Sequence, residues 1–333
     1  MKFGIISFAH MHAYSYARAL REIPGVALAG IADADAERGK AAAARFQTEY
    51  YPDYNELLAK DIDAVIICSA NADHKEHAVA AARAKKHILC EKPISISVAD
   101  AQAMIDAASE AGVVLQTAFP VRHCGPVRQL KAVVEQGKLG EIIAINGTNH
   151  GKMPPGWFLD PAKAGGGAVM DHTVHVADLI RWICKTEFTE VYAEVDTLLH
   201  DVGIDDCGML TMQLASGAIC SLDPSWSRPD AFPTWGDVTM QVIGTKGVAS
   251  LDAFRQVGMV YVSPGGSSGG SVYEYGWGND ADKEMVEAFI KAVKGEPNEG
   301  ASGLDGLKAM EVALAAYESA KRTAPVKLPL GVA

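Results

Sequence analysis

Lys86-His87-Ile88-Leu89-Cys90-Glu91-Lys92-Pro93 is the stretch on which the fold turns. Its Ile-Leu-Cys core, bounded by charge and then by proline, reads as a short buried strand. Pro93 fixes its own φ and biases Lys92 away from the helical region, so the lysine sits in an extended, rigid turn. Parallel sheets open a crevice at the carboxyl ends of their strands, and a lysine held there is placed for chemistry. Taken alone, the Glu-Lys-Pro tripeptide reads as a solvated lysine after a strand. A second segment, Gly165-Gly166-Gly167-Ala168-Val169-Met170-Asp171-His172-Thr173-Val174-His175, reverses that reading.

Around residues 86–93 the first third of the chain alternates. Strand-like runs at 3–6, 26–31, 64–68, 87–90 and 113–117 are separated by helical patterns at 13–21, 36–46, 54–59, 74–84 and 98–111. Continuous apolar strands alternating with helices predict an α/β domain with a doubly wound parallel sheet. Near residue 122 the pattern changes. Segments with β character at 142–148, 191–199, 207–214, 218–222, 238–243, 248–251 and 259–262, several joined by glycine-bearing turns, predict a largely antiparallel open sheet. Helical patterns at 127–135, 171–184, 283–293 and 304–321 flank it, giving an α+β second domain. The expected division is a dinucleotide-binding domain over 1–121 and a substrate-binding and oligomerisation domain over 122–333, with the C-terminal helix free to pack back on the first. The Gly/Ser-rich stretch 263–271 reads as a flexible loop.

Composition bounds the partners. A chain of 333 residues, 49% hydrophobic and 21% charged, is long enough for two domains and reads as folded and soluble. A formal net charge of −11 argues against nucleic acid and anionic membrane, both of which call for a basic surface. Cys68, Cys90, Cys124, Cys184, Cys207 and Cys220 form no C-x-x-C and no framework, so they read as reduced. With no secretory pattern and no long apolar span, the expected location is cytoplasmic.

The first βα turn should hold a dinucleotide phosphate, yet G-x-G-x-x-G is absent. The matching positions read Ser7-Phe8-Ala9-His10-Met11-His12. Ser7 and Ala9 are small enough for close backbone approach, His12 departs from the pattern, and Ala13 beside it can serve the tight packing with a one-residue shift. The helix N-terminus still offers N–H groups and a positive dipole end. Asp33, about 20 residues further on, stands where an acid binds a ribose 2′-hydroxyl in a Rossmann domain. Its charge repels a 2′-phosphate, so NAD is expected, with NADP second. The alternative for Asp33 is a helix N-cap. His10-Met11-His12 also raises a metal, but no carboxylate or thiol accompanies it locally; contact with the cofactor or local packing is the expectation, and no metal.

Asp171, His175, Asp178 and Trp182 fall on one helical face, after a flexible triple-glycine turn. Two carboxylates and a histidine in one line mean that the face meets either a site or solvent.

In this order, with Glu91-Lys92-Pro93 and Gly-Gly-Gly followed by Asp171-x-x-x-His175, the chain resembles the glucose-fructose oxidoreductase / inositol dehydrogenase (Gfo/Idh/MocA) family. Asn71-Ala72-Asp73-His74, Trp157-Phe158-Leu159-Asp160 and the closing segments 305–308 and 325–329 extend the resemblance over nearly the whole chain. It implies hydride transfer between a nicotinamide and a carbinol carbon of a sugar or polyol. His175 would be the base, Lys92 would hold the hydroxyl oxygen, and Asp171 would orient the substrate or the histidine. Cofactor contacts are expected from Ser7, Ala9, His10, Met11, His12, Asp33, Ser69, Asn71, His74, Glu91 and Lys92. Arg122 and Trp157, with Lys92, Asp171 and His175, are expected toward the substrate. His150 and Lys152 are further candidates, each with an exposed or packing alternative, and Tyr273, Tyr275 and Trp277 either edge the cleft or pack a loop. A hydrolase that keeps NAD bound and a cofactor-binding regulator are the competing functions. Segments 211–214 and 219–222 alternate imperfectly and leave apolar side chains on both faces, which predicts a homodimer or homotetramer built through the sheet.

Overall fold

The computed structural model describes residues 1–331 apart from 233, 256, 263–270 and 277, with backbone alone at 257–262 and 271–276. The Gly/Ser-rich stretch 263–270 and the side chains of Tyr273, Tyr275 and Trp277 therefore lie outside the described residues.

Six parallel strands build the first sheet: β1 (Lys2–Ile6), β2 (Ala27–Ala32), β3 (Glu49–Tyr51), β4 (Ala64–Ile67), β5 (His87–Cys90) and β6 (Leu115–Thr117). Their order is β6-β5-β4-β1-β2-β3, the doubly wound arrangement in which the crevice forms beside β1, where the strand order reverses. β4 is Ala-Val-Ile-Ile, buried at every position, as a strand covered on both faces requires. The connecting helices are α1 (His12–Glu22), α2 (Ala36–Phe46), α3 (Tyr54–Leu58), α4 (His74–Arg83) and α5 (Val98–Ala111). Asp35 caps α2, accepting from the Glu37 and Arg38 amides, which leaves Asp33 free of the capping role.

After α6 (Gly125–Glu135) come β7 (Ile142–Gly151), the short α7 (Pro161–Ala164), α8 (Ala168–Cys184) and the strands β8 (Phe188–Asp196), β9 (Cys207–Leu214), β10 (Ile219–Ser225), β11 (Gly236–Gly244) and β12 (Gly247–Asp252). They form a sheet ordered β12-β11-β7-β10-β9-β8, antiparallel except where β10 runs parallel to β7. β13 (Val257–Val262) and β14 (Ser271–Gly276) make a separate hairpin. α9 (Ala281–Val293), β15 (Ala301–Ser302), α10 (Gly303–Arg322) and β16 (Val326–Lys327) complete the chain.

The chain then returns to its beginning. α9 packs on α1, sending Phe289 against Phe3 at 6.1 Å between ring centroids, and β15 adds an antiparallel edge to β6. α10 lies against α8, α5 and β8, bridging the two sheets.

One sequence expectation changes at the second sheet. The alternation on β9 is regular: Met212 and Leu214 are buried while Thr211 and Gln213 are exposed. α8 packs on the inner face against β7, β9 and β10. The outer face carries a polar set, in which Thr148 bonds Asp237 and Thr239, with Met209, Ile219 and Val248 among its exposed apolar side chains. It is thus a mainly polar surface, because the twofold side-chain period of these strands is kept.

Candidate active site

β5 ends at Cys90, and the backbone then turns sharply through Glu91 and Lys92; the Lys92–Pro93 bond is cis. Lys92 enters a cleft of about 880 Å³ bordered by α8, the inner face of the second sheet and the start of α1. Its ammonium donates to Asp171 Oδ1 at 2.5 Å and to the Asp171 carbonyl at 3.3 Å. An ammonium has three donors, so one remains for an oxygen in the cleft. The other carboxylate oxygen of Asp171 accepts from Trp226 Nε1 and lies 3.3 Å from His172 Nε2. Burial opposes charge on Asp171, but Lys92 and His172 outweigh it and hold the carboxyl well below the usual range.

His175, one turn further along α8, packs edge-on against Phe119 with centroids 5.9 Å apart. Its Nδ1 is buried and has no partner among the described residues. Burial first, then the charge of Lys92, drive its pKa well below the ordinary value. The ring is therefore neutral at physiological pH, the form that accepts a proton. Asn149 Oδ1 and His172 Nδ1, both on residues that line the cleft, are likewise buried without a partner.

The triple glycine is a tight junction rather than a flexible turn. Gly165 has φ +78°, and a Cβ on Gly167 would lie 1.8 Å from the Asp205 carbonyl oxygen. The Asp205 carboxylate accepts from the Gly167 and Val169 amides at 2.7 and 2.9 Å, capping α8 from a distant loop.

On the dinucleotide side, Ser7 adopts φ +69°, the backbone conformation for which glycine is usual. Asp33 sits at the end of β2, but its carboxylate is fully used: it accepts from the Phe8 and Asp35 amides and twice from Arg38, at 2.7 and 2.8 Å. A ribose hydroxyl must therefore share with Arg38 or displace it. Arg38 was not foreseen; a cation within reach of a ribose-binding acid at the start of α2 was the available signal. Asp33→Ser frees this guanidinium at the end of β2, where a ribose 2′ group is expected. We expect the NAD-to-NADP preference to narrow about tenfold or more, the scale of a charge-assisted bond of about 1.5–3 kcal/mol. Calorimetric dissociation constants for both cofactors check it; tighter NADP than NAD in the unaltered protein contradicts it.

His12 Nδ1 lies 3.0 Å from Glu91 Oε1, which also accepts from the Tyr16 hydroxyl. A carboxylate distant in sequence thus does reach the His10-Met11-His12 turn, and the three groups lie within 4.8 Å of one another. Glu91 is engaged by His12 and Tyr16, whereas His10 Nε2 is buried without a partner among the described residues. The donor set suits a dinucleotide: a helix N-terminus, an acid beyond β2 and small residues at the turn.

Other expected residues lie elsewhere. Arg122 is buried and forms a forked pair with Asp178 at 2.6 and 2.7 Å, with Trp182 beneath the guanidinium. The Asp171–Trp182 face therefore divides, its first half toward the cleft and its second half into this pair. Trp157 donates to the Ala9 carbonyl and stacks on Phe158, bracing the phosphate turn. His150 faces the outer side of the sheet between Asp223 and Asp237, which push its pKa up to about 9. Lys152 bonds the Asp230 carbonyl. His74 is fully buried, its ring nitrogens against the Pro93 and Ser69 carbonyls, so it braces the strand ends. The Ser69 hydroxyl pairs with His77. Asn71 Nδ2 donates to the Ala164 carbonyl, leaving Oδ1 without a partner among the described residues. Asn149, Trp226 and Trp235 were not foreseen as site residues; a polar residue at an inward position of β7 was the signal for the first.

Proton-handling side chains here border the edge of the sheet where dinucleotides bind, and this juxtaposition places the chain among the nicotinamide-dependent oxidoreductases. Residues 1–119 match the oxidoreductase family with an NAD-binding Rossmann fold, and residues 127–250 match the GFO/IDH/MocA C-terminal domain. Myo-inositol 2-dehydrogenase of Thermotoga maritima is 32% identical, over 98% of each chain. The 1,5-anhydro-D-fructose reductase of Ensifer adhaerens is 31% identical over 82% of this chain and 81% of its own. Among solved structures, GenD2 from gentamicin A biosynthesis in complex with NAD superposes with a TM-score of 0.90 at 25% identity, covering 99% of this chain and 97% of that one. The chain belongs to the Gfo/Idh/MocA family.

Proposed function

We propose that the protein is an NAD-dependent dehydrogenase of a sugar, polyol or related small carbohydrate, acting at a CH–OH carbon. The observation that carries this reading is the cleft itself. A lysine with a donor to spare, a neutral histidine and polar atoms on Asn149 and His172 that have no partner among the described residues converge where a hydroxyl-rich molecule supplies matching donors and acceptors. Relatives named as inositol 2-dehydrogenases and a levoglucosan dehydrogenase solved with NADH support it.

Bound NAD supplies the hydride acceptor. The residues of the chain do the rest. His175, neutral through burial, takes the hydroxyl proton at a ring nitrogen. Lys92 holds the same oxygen and stabilises the charge that develops on it. Asp171 fixes Lys92 in place. Glu91 bonds the Lys92 amide at 3.0 Å and orients the turn. Incubation with NAD and a panel of sugars and polyols, read by absorbance of the reduced cofactor, tests the assignment.

The outer face of the second sheet is proposed as the contact between copies. Its polar ladder with Met209 and Ile219 exposed suits a two-fold, self-complementary interface. Light scattering across micromolar concentrations should give the mass of a dimer or tetramer; a mass fixed at one chain rules this out. All six cysteines are free, which supports a reducing, cytoplasmic setting. Among the described residues no helix is long and apolar enough to cross a membrane.

A further inference from the structure

The first βα turn has closed most of its own amide cradle. Phe8 N–H donates to Asp33 at 2.8 Å, Ala9 N–H to the Ser7 hydroxyl at 3.1 Å, His10 N–H to the Cys68 carbonyl at 2.9 Å, and His12 N–H to His10 Nδ1 at 3.2 Å. Of the amides from Phe8 to His12, that of Met11 alone has no acceptor among the described residues. A dinucleotide diphosphate still requires donors and positive charge at this helix terminus.

The side chain at the third glycine position meets that requirement. His12 opens α1, lines the cleft and keeps about a third of its side chain exposed (34%). Its Nδ1 faces the Glu91 carboxylate, an arrangement that fixes a proton on that nitrogen. When the ring is neutral, Nε2 therefore carries a bare lone pair that repels a phosphate oxygen. When the ring is protonated, Nε2 carries an N–H that donates to it. We propose that the His12 imidazolium, held by Glu91, is the principal diphosphate-binding group of this chain, replacing backbone amides that are already bonded within the chain.

The surroundings of the ring set its charge. Glu91 and Lys92 face it from the turn after β5, Asp282 from α9, and His10 and Tyr16 from its own segment, with His175 of α8 across the cleft. Burial opposes protonation, but Glu91 outweighs it and raises His12 above its ordinary value. His10, with its ring centroid 4.3 Å away, is driven by burial to about 3 and stays neutral. His12 thus carries the switch, and the sign follows: affinity is highest with the ring charged and falls as pH rises through its pKa.

The inference rests on NAD binding, so binding is what the test reads. Calorimetry with NAD and with ADP-ribose, which keeps the diphosphate and lacks the nicotinamide, is run on the full chain from about pH 6 to about pH 9, a range spanning a raised histidine. Both dissociation constants should rise about tenfold across it. His12→Gln should bind both about tenfold more weakly at the acid end and with no slope, while Glu91→Gln should move the midpoint to lower pH. Thermal melts confirm that the variants fold. A flat profile in the unaltered protein, a slope that survives His12→Gln, or a slope for NAD without one for ADP-ribose overturns the proposal. Failure of both molecules to bind at any pH overturns the cofactor assignment beneath it.

Discussion

Lys92→Ala and His175→Ala are each expected to lower kcat by about two decades or more, the scale of general-base and charge-stabilising groups. The two losses have different origins. Lys92→Ala removes the group proposed to hold the reacting oxygen and leaves the Asp171 carboxylate buried without its nearest partner. His175→Ala removes the proposed proton acceptor and little else, since the ring's Nδ1 makes no bond in the chain among the described residues. NAD affinity should therefore be largely retained in His175→Ala. The pH profile of the unaltered enzyme carries the same signature. His175 is held neutral by burial and by Lys92, so kcat/KM should show no acid limb near the ordinary histidine pKa of about 6.5. Near-unaltered turnover in either variant refutes the role given to that residue.

The second large effect is on stability. Arg122 and Asp178 form a forked pair with both side chains almost wholly buried. Arg122→Ala strands a carboxylate in the interior and should cost about 3–5 kcal/mol in denaturant unfolding. The double change Arg122→Met with Asp178→Leu should recover much of that loss, because an apolar pair of similar volume carries no desolvation penalty. This separates the buried pair from the substrate contact expected of Arg122 at first. A stable Arg122→Ala enzyme with a raised KM restores the substrate contact and contradicts the pair's structural role.

The sequence carried the fold well where local pattern and tertiary environment agree. Ala36–Phe46 and Val98–Ala111 were legible to the residue, since apolar periodicity, Asp35 and Ser97 as caps, and a left-handed residue after the last turn act within one segment. The start of α8 was placed three residues late, at 171 instead of 168, because its cap is Asp205, distant in sequence. β3, of three residues, and β15 and β16, of two each, are too short to show a period.

Lys92, Asp171 and His175 could be singled out together because each sits in a motif whose backbone setting can be read, a strand end before proline and a helix face after glycines, and the structure brings all three to one cleft. Arg122 and Asp178 misled for the same reason. A charged residue on a helical face looks identical in sequence whether its partner is a substrate or a buried counter-ion. The Glu91–His12 contact was invisible, since it joins two turns 79 residues apart through the strand order of the sheet.

The measurement that bears most directly on the whole account is turnover of free NAD with the sugar and polyol panel, run in parallel on the unaltered enzyme, Lys92→Ala and His175→Ala. Reduced cofactor should accumulate with at least one substrate, and its rate of formation should fall by about two decades or more in both variants. Cleavage of a glycoside with no net change in free NAD, or reduction of NAD that both variants perform equally well, would contradict it.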